Sequence, residues 1–345
     1  MKSKTRKINL LAFMLMSIFI CNVQAQKQYL GELQSGKNIV TFKSEGLKIV
    51  GHLYLPSDYN PDIKVPAIVV ITPASGVKEQ TAGIYAKQLS DKGFITLAFD
   101  HRTFGESEGE PRCMENGPMK VEDIKNAISF ISTIPGVNRK RIAELGICSG
   151  AGYSIQTACF DARVKSVATV SGFIDFIEYG LSGGTQYLRK LSGDKINQFQ
   201  QQMKIASHAR QKFFETGETV FIEGIPPKGS RMGEFWDRAA DYYHNSNRGG
   251  AVKTYNPKRA AMSLDTRYFF NASEHIELMR GKPFLAIAGT NAYTASFSEE
   301  TVKKALGDKE YFPIEGAHHF DLYDNETYVN QVVEKLTKFY KRTLK

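Results

Sequence analysis

Apolar residues in this chain fall into short continuous blocks separated by longer polar-periodic stretches. Val65–Ile71, Phe94–Asp100, Val164–Val170 and Pro283–Gly289 are apolar almost throughout. Blocks of this length without period-2 alternation predict strands buried on both faces. Arg141–Cys148 reads as a further strand that runs into a sharp turn, and residues 38–43, 47–55 and 310–314 as additional strands. Between them, helical periodicity covers 79–92, about 120–133 (stopped by Pro135), the stretch from the turn to about 159, 298–306 and 326–344. Strands alternating with helices predict an α/β fold with a mostly parallel sheet and helices on both faces. The stretch 174–280 differs. It is more polar, has no buried-strand block, and carries helical patterns over Lys195–Phe214 and Glu234–Tyr243. The expected organisation is a core of 26–173 and 281–345 interrupted by a helical cap at 174–280.

The first residues predict export. Lys2, Lys4, Arg6 and Lys7 precede an apolar run from Leu10 to Cys21 broken only by Ser17, and Val23 and Ala25 stand at the spacing a signal peptidase reads. The run is too short for a bilayer, which needs roughly 20 residues. Bulky Ile18, Phe19 and Ile20 argue against a lipoprotein built on Cys21. Cleavage after Ala25 makes residues 1–25 a signal peptide and leaves a periplasmic or secreted protein.

That segment changes the reading of the charge. The full chain of 345 residues carries a formal net charge of +9, and losing four cations lowers it to +5. Nothing in a modest spread charge points to nucleic acid, and no later segment is apolar enough to insert stably in a membrane. At 42% apolar and 23% charged, the composition excludes collagen-like and long disordered chains. Four cysteines are too few for a disulfide scaffold. Cys113 and Cys159 are the one conceivable pair away from the turn and the leader, with Cys159 on a core helix. No cluster has metal-ligand spacing and no glycine-rich phosphate loop is present, so no metal or cofactor is expected.

The chemistry concentrates at Gly146-Ile147-Cys148-Ser149-Gly150. It matches Gly-x-nucleophile-x-Gly at a strand-to-helix turn, the context this motif requires. Flanking glycines admit the tight turn, and the helix N-terminus favours a Cys148 thiolate. Late in the chain, Gly316-Ala317-His318-His319-Phe320-Asp321 follows the last strand. A histidine there can take and return the thiol proton, and of the two, His319 is favoured. The loop Thr72-Pro73-Ala74-Ser75-Gly76 follows another core strand. Its backbone is expected to give one oxyanion donor, Ala74 or Ser75, and Ser149 the other; Pro73 has no N–H to give.

Together these residues resemble the α/β-hydrolase superfamily, and within it the dienelactone-hydrolase-like and acyl-peptidase-like branch. Asp100–Gly109 looks like the loop such enzymes carry after the fourth strand, and Gly76–Thr81 and Gly316–Asp324 are similar to a bacterial group of hydrolases. The resemblance implies the α/β-hydrolase fold and a cysteine-dependent hydrolase acting on a small carboxylic ester or lactone. It also resembles fungal polyketide acyltransferases, which leaves acyl transfer open. Neither the substrate nor the oligomeric state follows from it. One departure stands out: the place of the usual acid, after the strand before the last, holds Gly289-Thr290-Asn291-Ala292. Glu299 at the start of the next helix is the favoured replacement. Asn291, as in papain-like enzymes, and Asp175 are the alternatives. A missing acid also keeps open a non-catalytic binding protein on the same scaffold. Tyr242, Tyr243, His244, Phe213 and Phe214 in the insertion suit either a pocket wall or the cap's own core.

Overall fold

A computed structural model describes residues 32–175, 193–230, 233–266 and 270–345. The leader expected at residues 1–25 lies outside the described residues. The main sheet contains β1 (Gly36–Ser44), β2 (Leu47–Leu55), β3 (Val65–Ile71), β4 (Ile95–Phe99), β5 (Val137–Ile147) and β6 (Val164–Val170). It is completed by β9 (Phe284–Gly289) and β10 (Lys309–Ile314), in the order β1-β2-β4-β3-β5-β6-β9-β10. β2 runs antiparallel to β1 and β4, and the strands from β4 onward are parallel. β5 starts earlier than its apolar block, because Val137 already pairs with Val65 while Asn138–Arg141 stay partly in water.

The helices between them are α1 (Thr81–Ser90), α2 (Gly117–Ile131), α3 (Ser149–Phe160), α7 (Ala295–Lys304) and α9 (Glu326–Thr343). Their starts follow capping chemistry. Asn116 accepts from the Met119 N–H at the head of α2, with Pro118 in the first turn, and Asn325 does the same from Thr327 for α9. α9 buries Val329, Val332, Val333, Leu336, Phe339 and Tyr340, one apolar stripe at helical spacing against the sheet. α7 begins three residues before the expected start, since Thr294 rather than a residue of the Ser296–Ser298 stretch ends the preceding turn.

Residues 193–266 stand between β6 and β9 in the chain and outside the main sheet. They form α4 (Gly193–Thr216), β7 (Phe221–Glu223), α5 (Glu234–His244), β8 (Lys258–Ala260) and α6 (Ser263–Thr266). The helices match the expected patterns, whereas the β7–β8 antiparallel ribbon does not, because strands of three residues carry no readable periodicity. Two short 3₁₀ turns, Ala272–Glu274 and Ile276–Met279, lead back to β9. Tyr242 and Tyr243 of α5 join the main core, while Phe214 is 87% exposed. The helix α8 (Asp321–Asp324) follows β10.

Glu144, in the middle of β5, is fully buried and neither carboxyl oxygen has a hydrogen-bond partner. Burial, with Asp161 adding repulsion, pushes its pKa well above the usual 4.5 despite Lys282 and Arg163. A folded-state pKa above the unfolded one makes its contribution fully present below pH 4.5 and lost as pH rises toward the folded value. Glu144→Met keeps an unbranched side chain of similar length and removes this titration. It is expected to raise Tm near pH 8 and to change it little near pH 4. Each 1 kcal/mol gained corresponds to roughly 2–4 °C. Thermal melts across that pH range, with no gain at the alkaline end, would refute the assignment.

Candidate active site

The site lies where parallel ligand-binding sheets place theirs, at the carboxyl ends of the strands. Cys148 ends β5 and caps α3 with φ 54° and ψ −119°, a conformation that non-glycine residues rarely adopt. Its N–H bonds the Val170 carbonyl at 3.0 Å, and its carbonyl accepts from Phe173 N at 2.8 Å, so neighbouring strand ends hold the strained turn. The flanking glycines are needed for space. A Cβ on Gly146 would sit 2.4 Å from the Gly150 carbonyl, and one on Gly150 would sit 2.6 Å from the Ile71 carbonyl. Both clashes are with backbone, which cannot rotate away. Gly146→Ala and Gly150→Ala are each expected to cost about 1–3 kcal/mol. A wild-type denaturation midpoint in either variant would contradict this packing.

The Ser149 hydroxyl lies 3.9 Å from Cys148 Sγ, and the backbone N–H groups of Ser149 and Ala74 and the Tyr323 hydroxyl favour the charged form of the thiol. Ser75 is not a free donor: its N–H is taken by Glu115 Oε2 at 2.9 Å. Glu115 is buried, accepts from Tyr153 Oη at 2.7 Å and pairs with Lys120 Nζ at 2.7 Å. Burial pushes the Glu115 carboxyl up, yet Lys120, Arg259 and these hydrogen bonds hold it at about 2. Glu115 is therefore an ionised anchor that fixes the 72–76 loop with Ala74 turned toward the cysteine. A second buried network ties this loop to the one after β4. Lys78 Nζ contacts Asp100 at 2.8 Å, Glu79 at 2.7 Å and Glu106 at 2.6 Å.

Placing a thiol at a helix N-terminus does not by itself make a thiolate. Burial raises the Cys148 pKa above its usual value, and the hydrogen bonds from Tyr323, Ser149 and Ala74 offset this only in part. The expectation of a thiolate favoured by the helix end is thus corrected: desolvation outweighs the dipole at a site that is 8% exposed.

The two histidines separate cleanly. His318 is half-buried beside the insertion, with Nε2 3.1 Å from Arg238 Nη2. His319 is buried, boxed by the rings of Phe173, Phe235, Phe320 and Tyr323 at 4.7–5.5 Å. Its Nε2 lies 3.0 Å from Tyr323 Oη, and its Nδ1 3.0 Å from Thr294 Oγ1. The hydrogen-bonded chain runs Tyr323, His319, Thr294, and the Tyr323 hydroxyl favours the charged form of Cys148. Burial lowers the His319 pKa to about 3, with no carboxylate near enough to raise it.

The acid candidates fall elsewhere. Glu299 is on an exposed face of α7 and pairs with Lys303 at 3.0 Å, one helical turn along, so it does not orient His319. Asn291 donates to the Gly316 carbonyl at 3.2 Å. Asp175 bridges to Asn271. Helix α7 starts early enough to place Thr294, not Glu299, at the ring nitrogen. Thr294, Tyr323, Glu115 and Arg259 were all missed in the sequence. Of these, Tyr323 stands one helical turn after His319, a spacing that marks it as a neighbour of the ring. Cys113, Cys148 and Cys159 are free thiols, and Cys159 donates to the His275 carbonyl at 3.0 Å.

A cavity of about 70 Å³, open in part to solvent, reaches Cys148. Phe173, Phe235, Trp236, Tyr243, Phe320 and Tyr323 form its aromatic wall; Glu115 and Arg259 are its charged lining. Among the described residues no group of three His, Cys, Asp or Glu side chains could hold a metal ion, and no helix is long and apolar enough to cross a membrane.

A model of the X-Pro dipeptidyl-peptidase (S15) family matches residues 45–254. The chain belongs to the S15 family. This S15 chain has the α/β-hydrolase fold, as the strand order and the elbow at Cys148 already indicate. It is 34% identical to the Escherichia coli (strain K12) protein YcjY over 85% of this chain and 93% of that one. The crystal structure of the Pseudomonas aeruginosa protein PA2218 superposes with a TM-score of 0.78 at 27% identity, covering 93% of this chain and 98% of that one. A polyketide transferase, claH of Penicillium crustosum, is 28% identical over 87% of this chain and 95% of its own length. The scaffold is thus of the hydrolase or acyltransferase type.

Proposed function

We propose that this S15-family protein is an exported hydrolase that cleaves a small carboxylic ester or lactone with Cys148 as nucleophile. The observation that carries the reading is the strained elbow: Cys148 is held at φ 54° in the wall of an aromatic cavity, where the Ser149 and Ala74 N–H groups and the Tyr323 hydroxyl favour its thiolate. Cys148 Sγ attacks the acyl carbon. Its proton passes to Tyr323 Oη as the Tyr323 proton passes to His319 Nε2, while Nδ1–H donates to Thr294 Oγ1. The Ser149 and Ala74 N–H groups hold the developing oxyanion. The relay returns the proton to the leaving alkoxide, giving a thioester on Cys148. Water then attacks the thioester, His319 accepts its proton through Tyr323, and the thiol is restored.

Tyr323→Phe cuts the relay while keeping the ring. Its kcat/KM on short p-nitrophenyl esters is expected to fall about 10²-fold, with the aromatic cavity intact. Unchanged kcat/KM would mean that His319 works without the tyrosine.

Acyl transfer is the second reading, favoured by the full-length similarity to a polyketide transferase. An alcohol or amine would replace water on the thioester. Product analysis with added acceptors separates the two, since hydrolysis alone gives only the free acid. For export, the mature N-terminus of the protein recovered from the producing cell is expected to be Gln26. A retained Met1 would overturn that reading.

A further inference from the structure

Arg259 lies at the centre of β8, outside the main sheet, and lines the same cavity as Cys148. It is 9% exposed, and its Nε is buried without any hydrogen-bond partner. A guanidinium out of water with an unused donor is costly unless something supplies an acceptor. Glu115, the anion nearest in the cavity wall, does not supply it. Its oxygens are engaged by Lys120, Tyr153 and Ser75, and no hydrogen bond joins it to Arg259. Glu115 is already paired with Lys120 at 2.7 Å and reaches Arg259 through charge alone, so the guanidinium donors that face the cavity have no acceptor there. Apart from Cys148 and Ser149, the remaining wall is aromatic and apolar.

We infer that Arg259 is an anion-reading residue and that the substrate of the proposed hydrolase carries a free carboxylate on its acyl part, away from the bond that is cleaved. The planar fork of an arginine matches a carboxylate with two parallel hydrogen bonds, and the aromatic wall takes the apolar segment between the two ends. The inference builds on the hydrolase reading but makes its own demand on binding.

Two measurements test it. The first compares aryl half-esters of dicarboxylic acids of graded length with the same compounds methylated at the free acid. The wild-type protein is expected to prefer the free acid by at least about tenfold in kcat/KM at one or more lengths. In Arg259→Met the ratio of free to methylated substrate is expected to collapse toward unity, and Arg259→Lys to retain an intermediate ratio because charge survives without the fork. Circular dichroism shows whether each variant is folded. The second measurement uses the Cys148→Ala protein, in which no turnover is needed. Phenylalkanoates are expected to raise its Tm, the matching amides are not, and adding Arg259→Met is expected to erase the difference. If no ester is cleaved but the carboxylate-selective shift is present and depends on Arg259, the hydrolase reading fails and the anion site stands. A wild-type ratio near unity, a ratio unchanged in Arg259→Met, or equal thermal shifts from acids and amides would overturn the anion site.

Discussion

Cys148→Ala is expected to lose at least about 10³-fold in kcat/KM on short esters, because the covalent route disappears and only the oxyanion donors and binding remain. The measurement is p-nitrophenyl ester and small-lactone turnover by wild type and variant at equal, active-site-independent protein concentration. Equal activity would remove Cys148 from the mechanism. The same position gives an independent reading of strain. Cys148 sits at φ 54° and ψ −119°, where a side chain costs on the order of 1–3 kcal/mol. Glycine carries no such cost, although its unfolded chain is more flexible by roughly 0.5–1 kcal/mol. Cys148→Gly should therefore be inactive and at least as stable as wild type, a combination expected of strain held for function. A clear fall in its denaturation midpoint would show that the side chain stabilises the fold instead.

The second large effect is on pH dependence. In the proposed mechanism His319 is a base only while unprotonated, and burial holds its pKa at about 3. As pH falls from neutrality, the free enzyme should keep its base until close to that value. The acidic limb of kcat/KM is thus expected near pH 3 rather than near the ordinary 6.5. The same shift has a stability consequence of definite sign. The unfolded histidine binds a proton below about 6.5 and the folded one only below about 3, so His319 costs stability progressively as pH falls between them. Thr294→Asp places a carboxylate at Nδ1, where the fold otherwise offers a neutral hydroxyl at 3.0 Å. An opposite charge in contact raises a histidine's pKa. The acidic limb of this variant should move up by two pH units or more, so that it lags the wild type at pH 5. His319→Ala should lose about 10²–10⁴-fold at every pH. A wild-type limb near 6.5 would require a partner for the imidazolium that Thr294 does not provide.

A raised cysteine pKa and a lowered histidine pKa leave a neutral thiol beside a neutral imidazole in the resting site. In the proposed mechanism deprotonation then belongs to the attack itself, when the oxyanion donors and the forming bond stabilise the charge.

The sheet was legible because each buried strand is an unbroken apolar block. Val65–Ile71 and Pro283–Gly289 have no polar face to show, and only a sheet covered on both sides accepts such segments. The elbow was legible because its requirements are local: a nucleophile, and glycines two residues either side where backbone atoms approach within 3 Å of a Cβ. The availability of Ala74 over Ser75 was not, since it depends on Glu115, forty residues away in sequence, taking the Ser75 N–H. Thr294 was also hidden. A threonine before a helix is an unremarkable cap in sequence, and only the approach of the β9 and β10 loops sets it against His319.

From the residues alone, then, came the α/β architecture, the interruption after β6, and the tight turn at Cys148, because apolar blocks and tight-turn glycines act within a few neighbours. Tertiary structure decided what surrounds that pair: a threonine where an acid was expected, a tyrosine between thiol and imidazole, a thiol kept neutral by burial, and a lone arginine facing the cavity. Those features arise between segments far apart in the chain, such as Cys148 and Tyr323, 175 residues apart. Desolvation and hydrogen bonding across such gaps depend on which side chains meet, and no local pattern records that.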